Sequence, residues 1–432
     1  MGHRLAVADG RLEIRRYWAP ADRPLLRYRT EGEYGEHFLA VFREAVGRCL
    51  ATGGRVWSDL SGGLDSSSIV CVAAELLGGE PERRGDFATL THVWKDSPQC
   101  DERELAQTVV DKVRLPNHQV WCDDLFFDGA EEECLCRNDP HQGLFIHPMS
   151  RAIAELLRSS GVAVLLCGMR AEAVVLPESI RPLHLADLAR GLRLGRLARE
   201  LWQWQRGTHQ PLANLLLACV ARPLLGRRRY DRPRTEEGLD PWVDKAFARR
   251  LHLATRAARK TLTDKRFRAV AQQQQYEMLL RTEQMMHRGL LEWSCEIRHP
   301  FLFRPLVELG LAMPWQQMIS PGRGKLLLRR GLAGLLPEAI RNRRGGAGPG
   351  AAMYKAFARR WPAIEPVVAS SLLVEMGYVD RQELHAAADM VRFGTSKRFV
   401  NFLTCLAFEV WLRTVTGEGQ AAAAGRSFSA RP

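Results

Sequence analysis

Apolar residues in the first 180 positions follow two alternating rhythms. Short apolar-rich runs at Val56–Leu60, Phe87–Val93, His118–Trp121 and the wholly aliphatic Val162–Leu166 predict buried strands. Between them, Ser67–Leu77, Glu102–Val113 and Ser150–Ser159 space their apolar positions three and four apart, which predicts helices with one buried stripe. Strands alternating with helices imply a parallel sheet covered on both faces, because parallel neighbours need a crossover long enough to hold a helix. Beyond about residue 181 the pattern changes to Leu-, Ala- and Arg-rich helical segments such as Pro241–Gly289 and Phe399–Thr414. The last stretch, GEGQAAAAGRSFSARP, has almost no core-forming residues and reads as a disordered tail. The chain is therefore expected to divide into a lead segment 1–34, an α/β domain 35–180, a helical domain 181–416 whose residues 270–360 return to the site, and the tail 417–432.

Composition narrows the function classes. With 432 residues and 46% apolar content the chain can bury more than one core. Its net charge of +13 suits a nucleic-acid surface, a pocket for phosphates or acidic peptides, or simply solvated helix faces. The densest basic cluster is LLGRRRYDRPR, Leu224 to Arg234. No apolar run reaches membrane-spanning length and the start lacks the apolar core of a secretory signal, so a cytoplasmic protein with no membrane partner is expected. The ten cysteines are scattered through apolar segments and are expected to be reduced; the close pair Cys134 and Cys136 has no second pair at zinc-ligand spacing.

The stretch SDLSGGLDSSSIV, Ser58 to Val70, sits where a buried strand gives way to a helix. A helix start leaves backbone N–H groups unpaired and carries a positive partial charge, so such a turn binds phosphate. Gly62 and Gly63 let the backbone approach an anion closely, Ser61, Ser66 and Ser67 supply hydroxyls, and Asp65 is placed to hold a magnesium ion on the phosphates. There is no Walker lysine and no G-x-G-x-x-G, which argues against a P-loop NTPase or a dinucleotide fold. The alternative, a serine-rich helix cap, leaves the aspartate and the double glycine without a purpose.

LSGGLDSS, Leu60 to Ser67, resembles the pyrophosphate loop of the N-type ATP pyrophosphatases, and most closely that of asparagine synthetases. CDERELAQTVVDKV from Cys100, VLLCG at Val164–Gly168, CEIRHPFLF at Cys295–Phe303 and GKLLLRRGLAGLLPEAIRNRR from Gly324 are similar to further segments of that family, so the resemblance covers roughly 380 residues. It implies an adenine nucleotide α-hydrolase-like fold and an ATP- and Mg²⁺-dependent ligase that adenylates a carboxylate, releases pyrophosphate and passes the acyl group to an amine. By the same resemblance Leu60, Thr89, Cys167 and Gly168 join the loop residues around the nucleotide, Glu172 replaces a second magnesium-binding aspartate, Glu296 orients a base, and Arg344 stands in for a lysine of the family. Several positions depart from the family pattern: Met169-Arg170-Ala171-Glu172-Ala173 replaces a glycine-rich acidic turn, and Phe303 replaces an aspartate.

Asp9 to Pro20 resembles the end of the glutaminase domain that precedes this domain in asparagine synthetases. The rest of that domain is then either absent or encoded upstream in a longer gene. Without it the amine must come from elsewhere, and the sequence looks most like the lasso-peptide macrolactam synthetases. That likeness implies a precursor peptide as substrate, with a leader peptidase or leader-binding protein as partner, and disfavours nucleic acid. Three alternatives stay open: amidation of aspartate with ammonia, a degenerate relative that only binds nucleotide or peptide, and a tRNA-modifying ATP pyrophosphatase.

Overall fold

The computed structural model describes residues 2–22, 24–79, 84–127, 140, 142–225, 239–260, 266–284, 294–346 and 348–417. The basic run 226–234, the pair Cys134 and Cys136, and all of the tail beyond Gly417 lie outside them. The chain opens with an antiparallel hairpin, β1 (His3–Ala8) and β2 (Arg11–Arg16). Its register sets Leu5 beside Ile14 and Val7 beside Leu12, and all four side chains are exposed.

Helix α1 (Glu31–Leu50) starts at a reciprocal cap, in which the Glu33 amide donates to Thr30 Oγ1 and the Thr30 amide donates to Glu33. Its buried face carries Phe38 and Phe42, and Phe42 stacks on Phe301 at 4.9 Å. The central sheet follows: β3 (Arg55–Asp59), β4 (Phe87–Val93), β5 (Asn117–Trp121), β6 (Val162–Leu166) and β7 (Glu296–Arg298), all parallel in the order β5-β4-β3-β6-β7. Helix α2 (Leu64–Leu76) and the helices Arg103–Val113 and His147–Ser159 form the crossovers. After β3 the chain winds first to one side, through β4 and β5, and then to the other, through β6. The crevice between the upper ends of β3 and β6 is where open α/β sheets bind ligands.

The expected α/β architecture followed by a mostly helical region is observed. Among the described residues the expected helical run 241–289 holds Lys245–Arg250, Leu253–Lys260 and Val270–Gln284, with non-helical breaks at 251–252 and 266–269; residues 261–265 and 285–289 lie outside them. The largest core runs continuously from Tyr34 to Ile340, so the helices after β6 pack directly on the sheet domain. A second core gathers Trp242, Phe357, Trp361 and the C-terminal helices. The helix Phe399–Thr416 is the one among the described residues long and apolar enough to cross a membrane, but here it sends Phe402, Leu403 and Leu406 into this second core.

One buried carboxylate organises that C-terminal unit. Glu409 accepts hydrogen bonds from Ser371 Oγ (2.7 Å), the Leu372 and Leu373 amides (2.9 and 3.1 Å) and Arg413 Nε (2.7 Å). It thereby caps the helix Leu372–Glu375 from a neighbouring element. Removing it strips the buried Leu372 and Leu373 amides of their acceptor and Arg413 of its only carboxylate contact among the described residues. Glu409→Ala is expected to lower the unfolding free energy by about 3 kcal/mol in urea titration, and a loss within experimental error would show that the capping contacts contribute nothing net.

Candidate active site

Loop 60–63 is pinned at both ends. The Leu60 amide donates to Leu90 O at 2.8 Å and the Leu60 side chain is buried, which fixes the exit from β3. Gly62 has φ +68°, and a Cβ there would fall 2.7 Å from Leu105 Cβ and 2.9 Å from the Ala106 nitrogen, so both conformation and space demand glycine. Arg343 clamps the same point, donating to Gly62 O at 3.1 Å and pairing with the buried Glu102. The hydroxyls of Ser61 and Ser66 lie 3.0 Å apart, and the Ser61 and Gly63 amides donate to them. Ser67 Oγ is buried with no partner among the described residues. Gly63 caps α2 without a side-chain hydrogen bond, leaving the helix start open to an anion.

Asp65 stands in the first turn of α2. Its Oδ2 accepts from Lys325 Nζ at 2.5 Å, while Oδ1 is buried with no partner among the described residues. Burial pushes this carboxyl above the usual carboxylate range, Lys325 pulls it back, and the charge of Glu172 pushes it up again. Glu172 is therefore close enough to be felt, though its own side chain is exposed. Magnesium needs one or two carboxylates and completes its shell with phosphate and water oxygens. An orphaned carboxylate oxygen beside a second acid fits that ion. Among the described residues no group of three or more His, Cys, Asp or Glu side chains forms a denser metal site.

The cation that meets Asp65 is Lys325, and not the Arg344 that the family resemblance implies. It precedes the helix Leu326–Gly331 in a left-handed conformation (φ 56°), and its amide donates to Leu176 O at 2.9 Å. The buried Arg329 holds the turn, donating to Gly324 O at 2.9 Å and to Arg341 O. Arg344 itself is exposed, and its neighbour Arg343 makes the loop contact instead. The sequence signal was the lysine heading GKLLLRR, an otherwise apolar helix start.

The turn after β6 closes the crevice. A Cβ on Gly168 would lie 2.8 Å from the Ser66 nitrogen, so glycine is what lets this turn rest on the start of α2. Cys167 is buried next to Asp59, and burial raises both groups above their ordinary ranges. Ala171 and Ala173 are buried, whereas Met169 and Glu172 face outward.

Two expected site residues lie elsewhere. Thr89 is buried mid-strand beside Ser58 and spends its hydroxyl on Pro116 O and Asn117 Oδ1, at 3.1 and 3.0 Å. Two residues higher, Thr91 bonds Leu60 O at 2.9 Å and supports the loop from below. Glu296 is level with Val164 and hence with Val56. The loop begins four residues further up β3, about 13 Å away along the strand. The Glu296 carboxylate is exposed and paired with Arg298 at 2.8 and 2.9 Å, and Arg298 also reaches Cys49 O at the far end of α1. This pairing holds the Glu296 carboxyl below the usual carboxylate range.

A parallel α/β sheet carries a glycine-serine loop, a lysine and two acids at the crevice where such folds bind their ligands. The family model for asparagine synthase matches residues 37–413, and the chain belongs to that family. Members of the family are ATP-dependent ligases that form amides. No curated protein shows a significant match to the chain.

The position of Glu296 yields a direct test. Glu296→Gln should leave ATP turnover and product formation within about twofold of the unaltered protein, as expected for an exposed ion pair. A loss of product with intact pyrophosphate release would instead place its carboxylate in the chemistry.

Proposed function

We propose that this protein adenylates a carboxylate of a peptide and joins it to an amine of the same peptide, as in lasso-type macrolactam closure. The observation that carries the reading is the α2 start, where open backbone donors, Lys325 and the orphaned Asp65 oxygen converge. In this reading Ser61, Gly62, Gly63 and Ser66 hold the β and γ phosphates of ATP. Asp65 and Glu172 hold Mg²⁺, which when bound neutralises the leaving pyrophosphate. Lys325 offsets charge building on the α-phosphorus as the peptide carboxylate oxygen bonds to it and the α–β bond breaks. The amine then attacks the acyl carbon, AMP departs with the carboxylate oxygen, and the amine proton leaves to solvent or a base. Water would hydrolyse the adenylate, so the helices packed over the sheet act as its cover.

A second reading, nucleotide binding without turnover, draws on the exposure of Glu172 and on Ala173 in the place of an acid. The experiment that separates the two measures pyrophosphate release from ATP with three acceptors: linear peptides carrying a free amino terminus and an internal Asp or Glu, aspartate plus ammonia, and tRNA. Macrolactam closure gives a peptide product one water lighter than its precursor. No release with any acceptor would favour the binding reading.

Two variant series test the roles. Asp65→Asn should cut pyrophosphate release by at least about 10²-fold with the fold intact. Glu172→Ala should raise the magnesium requirement while Glu172→Asp keeps activity; three equally active forms would remove Glu172 from the metal. The pH profile supplies a further check. Activity that needs the Asp65 carboxylate is lost as pH falls through its raised pKa, so the acid limb of kcat/KM should lie above the ordinary Asp range near ~3.9. Lys325→Met removes the cation that lowers this pKa, and the limb should move to still higher pH. An unmoved limb would separate Lys325 from Asp65 in function.

A further inference from the structure

A cleft of about 500 Å³ opens in the helical half, between the helix Leu194–Thr208 and the segment ending at Pro321. Its floor is a buried pair, His184 Nε2 and Glu200 Oε2 at 2.6 Å. The other Glu200 oxygen accepts from Arg196 at 2.9 Å and lies 3.4 Å from Gln316 Nε2. Burial would push this carboxyl up, but the bonds from His184 and Arg196 outweigh it and hold it below its usual range. The one acid lining the cleft among the described residues is thus ionised and already committed to its neighbours. His184 Nδ1 is buried with no partner among the described residues. At the mouth Arg199 is exposed and has no ion pair among the described residues, while Trp204, Ile319 and Pro321 supply apolar walls.

We propose that this cleft binds an acidic segment of a peptide, a carboxylate flanked by apolar side chains, with Arg199 as the recognising cation. The proposal rests on the peptide-ligase reading above and assigns that substrate a second anchoring point. Geometry supports the pairing of the two sites. Pro321 is four residues from Lys325, so their Cα atoms lie no more than about 14 Å apart. A peptide of four or five extended residues spans that distance. An acid held in the cleft therefore sets how far along the chain the reacting carboxylate stands. Because Arg199 is solvent-facing, its attraction is screened by salt.

The full-length protein is titrated with two probes, acetyl-Leu-Phe-Asp-Phe-amide and its Asn counterpart, followed by isothermal titration calorimetry at low and high salt. The acidic peptide should bind about tenfold more tightly, the worth of one charge-assisted hydrogen bond at a wet mouth, and the preference should shrink in high salt. Arg199→Glu should abolish the preference and Arg199→Lys should keep most of it. Gln203→Glu, which sets an acid four residues from Arg199, should weaken the preference without altering the guanidinium. Equal binding of the two probes, or a preference that survives both acidic variants, overturns the proposal. No ATP is present, so an intact preference in a protein that never releases pyrophosphate would sink the ligase reading and leave the cleft standing. Intact peptide-dependent release without any preference would do the reverse.

Discussion

The contact between Lys325 and Asp65 joins residues 260 positions apart at the mouth of the sheet, and the rest of the site is arranged around it. An ammonium so close to a mostly buried carboxylate is tolerated because each charge compensates the other. Arg329 fixes the turn that presents Lys325, and Arg343 fixes the loop that presents Asp65. Moving either arginine would separate the cation from the acid without touching a strand. The helical half thus supplies part of the site itself.

The sequence made the periodic parts legible and hid the contacts between them. Phe87–Val93 and Val162–Leu166 are strands with the bounds their apolar-rich runs suggest, because a strand buried along nearly all of its length shows little polar alternation. Strand β7 is only three residues long and carries Glu296 and Arg298 at its ends, so nothing in its composition announced a strand. The loop was readable from its residue types, since few other uses explain a glycine pair ahead of an acid. Lys325 was not, because its role exists only where the helix after Gly324 meets α2. Thr89 and Glu296 looked like site residues when only their neighbours in sequence were known. Strand register decided otherwise: one is a rung too low, and the other stands at the wrong end of its strand.

The altered turn after β6 shows how packing rather than chemistry constrains this part of the chain. Gly168 touches the start of α2, and Val174, Val175 and Leu176 are fully buried beyond the turn. Ala171 and Ala173 are buried in the same core, where a longer acidic side chain would have to be accommodated and desolvated. The acid that remains, Glu172, is on the outward side, within electrostatic reach of Asp65.

Held by a glycine contact at one end and an aliphatic plug at the other, the positions between divide into two kinds. The inward alanines are locked by volume, while Met169 and Glu172 project from a backbone whose course they do not determine. Such a segment can accumulate substitutions on its outer side without risk to folding. In evolutionary terms it is a place where function alone, and not stability, decides which outward side chain a lineage keeps.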